Sequence, residues 1–340
     1  MTILVVGGGK MGMSHLAIIG AMLGGDEVAL CESSRLSRAV FKRLGVRVFD
    51  SLDDAKAVTR IKAAVIATPT RSHFPLAAQL LGEGVPCFIE KPLTLDPLLS
   101  AQLVALRSSS GVAAQVGLVG RFIATFLRLR EVVRCRWLGE VRSYRARMLG
   151  NVITGPERGW RTDYSLGGGC LNEYGPHLLD LCLSVFGEVS DVQEAKYERV
   201  HSTSADDRIF ARVSHKGGAE GAMGLDWCDT SRRKAVIAFD VEFEMGRVIA
   251  DSVGIRIEVH SGACVDPDNL DRLHEPLRPL PVGYYLRGDE YSVQLEIFLE
   301  KVLGRRFRRT DIDPAIAATL EDGLAADTLI ARIAKRSGLA

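Results

Sequence analysis

Over the first ~120 residues, short apolar runs alternate with segments of helical spacing, the pattern of βαβ units laid into a parallel sheet. The runs are Ile3–Val6, Glu27–Cys31, Val46–Phe49, Ala63–Ala67, Pro86–Ile89 and Val112–Val116. Several are apolar at successive positions, which suits interior strands covered on both faces. Helices are expected to begin near Gly12, Leu36, Leu52, His73 and Pro97. Asp53 and Asp96 suit helix starts, Pro97 suits a first helical position, and Gly82 and Gly84 mark a stop before the fifth strand.

Past Phe122 the runs lengthen and alternate: Gly139–Leu149, Ala205–Ser214, Glu220–Trp227, Ala235–Glu244 and Val248–His260, with a turn signal at Lys216-Gly217-Gly218. One strongly helical stretch, Asn172–Phe186, interrupts them, and helical periodicity returns over Asp289–Gly304 and Asp313–Ser337. The pattern implies an α/β domain over residues 1–120. It is followed over 121–340 by an α+β domain with a large, mostly antiparallel sheet. The C-terminal helices either stay with that sheet or pack back on the first domain.

Composition narrows the class. The 340 residues suit two domains better than one. Lys plus Arg (43) nearly equals Asp plus Glu (42), so no global field draws the chain to nucleic acid or anionic lipid. Apolar runs such as Ala63–Ala67 are too short to span a bilayer, and the N-terminus enters a strand without the leader of a signal peptide. The seven cysteines (31, 87, 135, 170, 182, 228 and 264) are scattered and never spaced as CxxC. They indicate neither a disulfide framework nor a metal site, and a reducing cytoplasm is the expected location.

The first strand runs into Gly7-Gly8-Gly9-Lys10-Met11-Gly12, so Gly7, Gly9 and Gly12 fill the glycine positions of GxGxxG. Gly7 allows the tight turn, Gly9 lets backbone approach a pyrophosphate, and Gly12 brings helix close to strand, with Lys10 and Met11 completing the cradle. The phosphates would meet unpaired N–H groups at the helix start. Glu32 lies twenty residues after Gly12, at the end of the second strand. It can accept bonds from the adenosine ribose and repel a 2′-phosphate, which favours NAD over NADP. Arg35, following Ser33 and Ser34, is the alternative partner for that phosphate or a solvated first-turn residue.

Three further segments carry a resemblance: Ala67-Thr68-Pro69-Thr70-Arg71-Ser72-His73, Glu90-Lys91-Pro92, and Gly167-Gly168-Gly169-Cys170-Leu171-Asn172-Glu173-Tyr174-Gly175-Pro176-His177. In this order, over nearly the whole chain, they resemble the Gfo/Idh/MocA family (glucose–fructose oxidoreductase, inositol dehydrogenase, rhizopine catabolism). The resemblance implies an N-terminal Rossmann domain, an open-faced C-terminal sheet that mediates homodimers or homotetramers, and sugar, polyol or cyclitol substrates. It implies that Lys91 stands between nicotinamide and substrate, and that His177 is the active-site histidine. Glu173 takes the place where many members have aspartate. Ala67, Thr68, Pro69, His73 and Glu90 fall along the cofactor, and Trp160-Arg161 resemble a loop covering cofactor or substrate. Asn172 stands where many members carry an apolar residue, so it is either a substrate contact or a cap for the helix.

Each residue also has an ordinary reading. A lysine is usually a solvated charge, but Lys91 follows a parallel strand at the edge where open α/β sheets bind ligands. His177 can exchange a proton near neutrality, or it can be a buried ring bonded to a carbonyl. Glu173 shares its helix face at i, i+4 and can steer the His177 proton, bind a substrate hydroxyl or favour the helix dipole. His15 and His73 both fall near the expected cofactor, His73 as a helix-start or cofactor-wall residue, and Asp180 reads as a structural one. The stretch Arg121–Arg161 holds ten arginines, no lysine and three acids. These suit solvated faces or oligomer contacts better than convergence on one site, although Arg121, Arg158 or Arg161 could grip an acidic substrate. The chemistry expected is reversible oxidation of a secondary alcohol, with Lys91 and His177 handling the proton. Its rivals are an NAD-dependent glycosidase and a nucleotide-sensing regulator without catalysis.

Overall fold

A computed structural model describes residues 2–156, 159–277, 279–308 and 310–339. The chain divides into two compact units, Met1–Phe122 with Leu280–Leu324, and Ile123–Pro279 with Ala325–Ala340.

In the first unit the six apolar runs become β1 (Thr2–Val6), β2 (Val28–Cys31), β3 (Val48–Phe49), β4 (Ile61–Ile66), β5 (Cys87–Ile89) and β6 (Ala114–Val116). They form one parallel sheet of order β3-β2-β1-β4-β5-β6. Helices α1 (Lys10–Leu23), α2 (Arg35–Arg43), α3 (Leu52–Val58), α4 (His73–Gly82) and α5 (Pro97–Ser110) connect them. The starts follow local chemistry: Ser34, Ser51 and Asp96 accept backbone N–H groups as caps. Alternate strand residues serve opposite faces. Ile3, Val5, Val65 and Phe88 join one apolar cluster, while Leu4, Val6, Ile66 and Ile89 join another. Both faces are therefore dry, which is why these strands read as continuous apolar runs.

The second unit begins with α6 (Ala124–Arg134) and β7 (Val141–Leu149), followed by α7 (Cys170–Phe186). Then come β8 (Val189–Glu198), β9 (Arg208–His215), β10 (Glu220–Asp226), β11 (Val236–Phe243), β12 (Gly246–Asp251), β13 (Ile255–Val259) and α8 (Pro267–His274). The sheet order is β13-β12-β11-β7-β10-β9-β8, with β7 and β10 parallel and every other pairing antiparallel. Ile237, Phe239, Val241 and Phe243 of β11 point into a core shared with Leu171, Leu178 and Leu181 of α7. Arg145, Arg147, Asp240 and Glu242 alternate onto the opposite, polar face. Two later helices follow, α9 (Asp289–Leu303) in the first unit and α10 (Leu320–Ser337). Among the described residues, no helix is long and apolar enough to cross a membrane.

Three elements differ from the sequence pattern. The run Val248–His260 is a hairpin, β12 and β13, because the Asp251 carboxylate accepts from Val253 N (2.7 Å) and Gly254 N (2.9 Å) and turns the chain. Strand β8 escapes the pattern because bulges shift its register and only Val189, Val192 and Ala195 are buried on it. Helix α7 starts at Cys170 rather than Asn172.

Candidate active site

Parallel strands bring their C-terminal ends to one edge of a sheet, so Gly7, Glu32, Ala67 and Glu90, each directly following a strand, share that edge. Gly7 has φ +99°, and a Cβ there would lie 2.8 Å from the Ala67 carbonyl oxygen. A Cβ on Gly12 would lie 1.8 Å from the Gly7 oxygen, so helix and strand meet only with glycine at 12. Gly9 has open space where its Cβ would be. Helix α1 starts beside it with neither a first-turn acid nor a side-chain cap, which leaves its first N–H groups to an anion. The Thr68 hydroxyl after β4 is buried and has no hydrogen-bond partner. A glycine cradle, an uncapped helix start and an orphaned hydroxyl fit a dinucleotide.

The Glu32 carboxylate is fixed from both sides, accepting from Gly8 N and from Ser34 N, each at 2.7 Å. A Cβ on Gly8 would lie 2.8 Å from that carboxylate and 2.9 Å from the Phe41 ring, so a side chain there would press Glu32 off its contacts. Ser33 and Arg35 are exposed beside it. Arg38 braces the loop: it donates to the Glu32 and Ser33 carbonyls and pairs with Asp50 at 3.0 Å.

The Glu90-Lys91-Pro92 turn is held by two buried histidines. His15, on α1, places Nε2 2.7 Å from Glu90 Oε1, and Glu90 Oε2 accepts from Lys91 N at 3.3 Å. His73, the first residue of α4, faces the Pro92 carbonyl with Nδ1 and the Thr68 carbonyl with Nε2, both at 2.9 Å. Burial holds the His73 ring below its usual pKa, against the pull of those carbonyls. A neutral ring donates at only one of the two contacts. Lys91, half-buried, thus sits between a residue tied to the cofactor helix and a residue tied to the β4 loop.

In the second unit, residues 167–177 make a glycine turn and the first two turns of α7. A Cβ on Gly168 would lie 2.2 Å from the carbonyl oxygens of both Trp160 and Arg161, and Gly169 N donates to the Arg161 carbonyl at 2.9 Å. The glycines therefore seat the Trp160–Thr162 turn directly on the helix start. Arg161 lies over the exposed Trp160 ring, 4.8 Å from its centre. Leu171, Tyr174, Gly175, Pro176 and Leu178 are buried, while Asn172, Glu173 and His177 form the half-buried face. Asn172 is not the cap: Gly169 holds that position, and the Asn172 side chain donates to the Gly168 carbonyl at 3.0 Å, locking the turn. Asp180 is buried.

Residues 1–118 match the model of the oxidoreductase family with an NAD-binding Rossmann fold, GFO_IDH_MocA, and residues 126–249 match the C-terminal domain of that family. The chain belongs to the Gfo/Idh/MocA family. It is an NAD-binding oxidoreductase, and its cofactor is NAD. It is 25% identical to oxidoreductase P35 of Formosa agariphila over 249 residues, 69% of this chain and 74% of that one. It is 31% identical to inositol 2-dehydrogenase of Corynebacterium glutamicum over 141 residues, 40% of this chain and 42% of the relative. A levoglucosan dehydrogenase solved with NADH shares the fold, with a TM-score of 0.81 at 17% identity, over 99% of this chain and 97% of the other.

Family motifs account for Lys91, Glu173 and His177, but not for every residue that holds them. His15, expected near the cofactor, is the partner of Glu90. Asp206 was not anticipated. Nothing local pointed to Asp206, which touches α7 from 35 residues away. Arg121 is buried and tied inside its own unit, to Asp322 at 3.0 Å and to the Ile316 carbonyl at 3.3 Å. Arg128 and Arg136 have acidic neighbours, Glu131 and Glu140. Arg158 lies outside the described residues.

Proposed function

We propose that this Gfo/Idh/MocA member interconverts a secondary alcohol and a ketone on a sugar, polyol or cyclitol-like substrate, with Lys91 and His177 handling the proton. The observation that carries this reading is the Lys91 turn, held by His15 from the cofactor helix and by His73 from the β4 loop. A lysine so fixed beside a dinucleotide cradle is suited to a reacting oxygen. Relatives named inositol 2-dehydrogenase and levoglucosan dehydrogenase support the substrate class.

Bound NAD supplies the hydride acceptor, the nicotinamide ring. Lys91 holds its ammonium against the hydroxyl oxygen and stabilises negative charge as it develops there. His177 accepts the hydroxyl proton at its ring nitrogen, the task of a general base. Glu173, one turn earlier on the same helix face, orients that imidazole or takes a neighbouring hydroxyl. Asn172, Trp160 and Arg161 complete the substrate side, and Glu32 holds the adenosine ribose.

The seven free cysteines support a reducing, cytoplasmic location. The polar sheet face supports a homodimer or homotetramer. The test is a screen of sugars, polyols, uronates and cyclitols for NADH formation. A cyclitol, sugar or polyol that turns over with stoichiometric NADH supports the reading. Cleavage of a glycoside with no net NADH replaces it with transient oxidation, and binding of NAD with no turnover of any class replaces it with a sensor.

A further inference from the structure

Helix α7 carries Glu173 and His177, yet its cap position is a glycine and offers no side-chain acceptor. The acceptor comes from elsewhere. Asp206, fully buried just ahead of β9, accepts Leu171 N through Oδ2 at 2.7 Å and Cys170 N through its own carbonyl at 2.9 Å. The first two N–H groups of the helix therefore both end on one residue. Its other carboxylate oxygen occupies the space of a Cβ on Gly169, 2.2 Å away, and is buried without a hydrogen-bond partner. Gly169, at φ +110°, is thus demanded twice, by its backbone and by Asp206.

Asp206 is itself held in place by its neighbour. The Asp207 carboxylate accepts from Val200 N (2.6 Å), His201 N (2.7 Å), Ser202 N (2.8 Å), Ser202 Oγ (2.6 Å) and Trp227 Nε1 (2.8 Å). Ala205 N donates to the Thr162 carbonyl at 3.3 Å, which joins the same loop to the Trp160–Thr162 turn. One carboxylate thus anchors the loop, and the next presents a fixed acceptor to the helix.

We propose that Asp206 is the positioning residue for the α7 face: it caps the helix from the β8–β9 loop and so sets where Glu173 and His177 stand. This rests on the roles assigned to those two residues above. An α-helix turns one residue every ~100°, so a first turn that loses its cap and frays carries Glu173 off the face it shares with His177. A carboxylate also opposes the positive end of the helix dipole. Burial pushes the Asp206 carboxyl up to about 7, with Asp207 adding to that and the Leu171 N–H and Arg199 opposing it. The cap therefore changes charge near neutrality, and a neutral acceptor of the same shape should serve.

The test is side-chain nitrogen NMR on the full-length chain with labelled histidine, the His177 signal being assigned by its loss in His177→Asn. Asp206→Ala should move the His177 ring signals and titration midpoint while leaving those of His15 and His73 in place. Asp206→Asn, which keeps an acceptor for Leu171 N, should restore them. On a substrate found in the screen, Asp206→Ala should lower kcat at least tenfold with the KM for NAD unchanged. If Asp206→Ala lowers Tm but leaves the His177 signals and midpoint at wild-type values, Asp206 is a structural residue only and the proposal fails. Should Asp206→Ala not fold, Asp206→Ser, whose hydroxyl is too short to hold Leu171 N in place, is read in the same way. The NMR signals are measured without substrate. Missing turnover would therefore count against the dehydrogenase reading alone, while unmoved His177 signals would count against Asp206 alone.

Discussion

In the proposed mechanism Lys91 serves the chemistry and not the grip on the cofactor. Its neighbours Glu90 and Pro92 are held by backbone and histidine contacts that do not involve its ammonium. Lys91→Met should therefore keep the fold and the NAD affinity, while kcat falls by about a hundredfold or more, the scale for losing a positioned proton-handling group. His177→Ala should behave alike, and, if the proposed mechanism holds, the double variant should lose less than the two combined. Steady-state kinetics with a nucleotide titration check this; near-native turnover of Lys91→Met would sink the mechanism. At Glu32, the carboxylate that holds Gly8 N and Ser34 N also faces the ribose in the proposed binding mode, so Glu32→Ala should narrow a native preference for NAD(H) over NADP(H). Tighter NADP(H) binding by the native chain would hand that choice to Arg35. His73 adds a pH dependence of defined sign. Its folded pKa lies below the unfolded value because burial disfavours the charged ring. Its contribution to stability is complete above about 6.5, the unfolded pKa, and is lost as pH falls below it. Unfolding curves at pH 5 and pH 8 should show a smaller difference in His73→Gln than in the native chain.

At the level of elements, the strand–turn–helix that holds the dinucleotide was readable because each of its requirements is local. The glycines, the apolar strand before them and the acid after the second strand all act within one βαβ unit. Their roles nevertheless divide. Gly12→Ala would place a methyl 1.8 Å from the Gly7 oxygen, a backbone atom that cannot yield without moving β1 or α1. It should destabilise the chain by about 1–3 kcal/mol, the range for overpacking. Gly9→Ala has open space and φ −70°, so Tm should be unchanged while NAD binding weakens, because a side chain there would obstruct the close backbone approach to a pyrophosphate that this glycine position serves. Equal effects of the two variants on Tm would refute this division, and differential scanning with NADH titration measures both. The α7 turn is the opposite case. Its GGG was visible in the sequence, but the reason for it was not: Gly168 admits the carbonyls of Trp160 and Arg161, and Gly169 admits Asp206.

For the whole molecule, assembly is the open expectation. One face of the seven-stranded sheet is filled by α6, α7 and α10 residues, including Leu329, Ile330 and Ile333. The other carries Arg145, Arg147, Asp240 and Arg247, of which Asp240 and Arg247 form a two-point ion pair at 2.7 and 2.6 Å. Charges already satisfied within one chain can be covered by another at lower desolvation cost than free ones. A dimer or tetramer built on this face should appear in light scattering at micromolar concentration. A stable 37.0 kDa particle would refute it.

The parallel sheet, the cofactor cradle and the positions of Lys91, Glu173 and His177 were determined by the sequence. Apolar runs with two buried faces, glycines at tight approaches and short motifs at strand ends all act over a few residues. Tertiary structure alone decided what holds those groups. His15 meets Glu90 across 75 residues, His73 meets Pro92 across 19, and Asp206 caps a helix that began 36 residues earlier. Arg121, one of a run of arginines, proved to be tied to Asp322 near the other end of the chain. The physical reason is common to all four. A buried polar group must find a partner wherever the fold supplies one. The identity of that partner depends on which loops the strands bring together, and no local pattern records it.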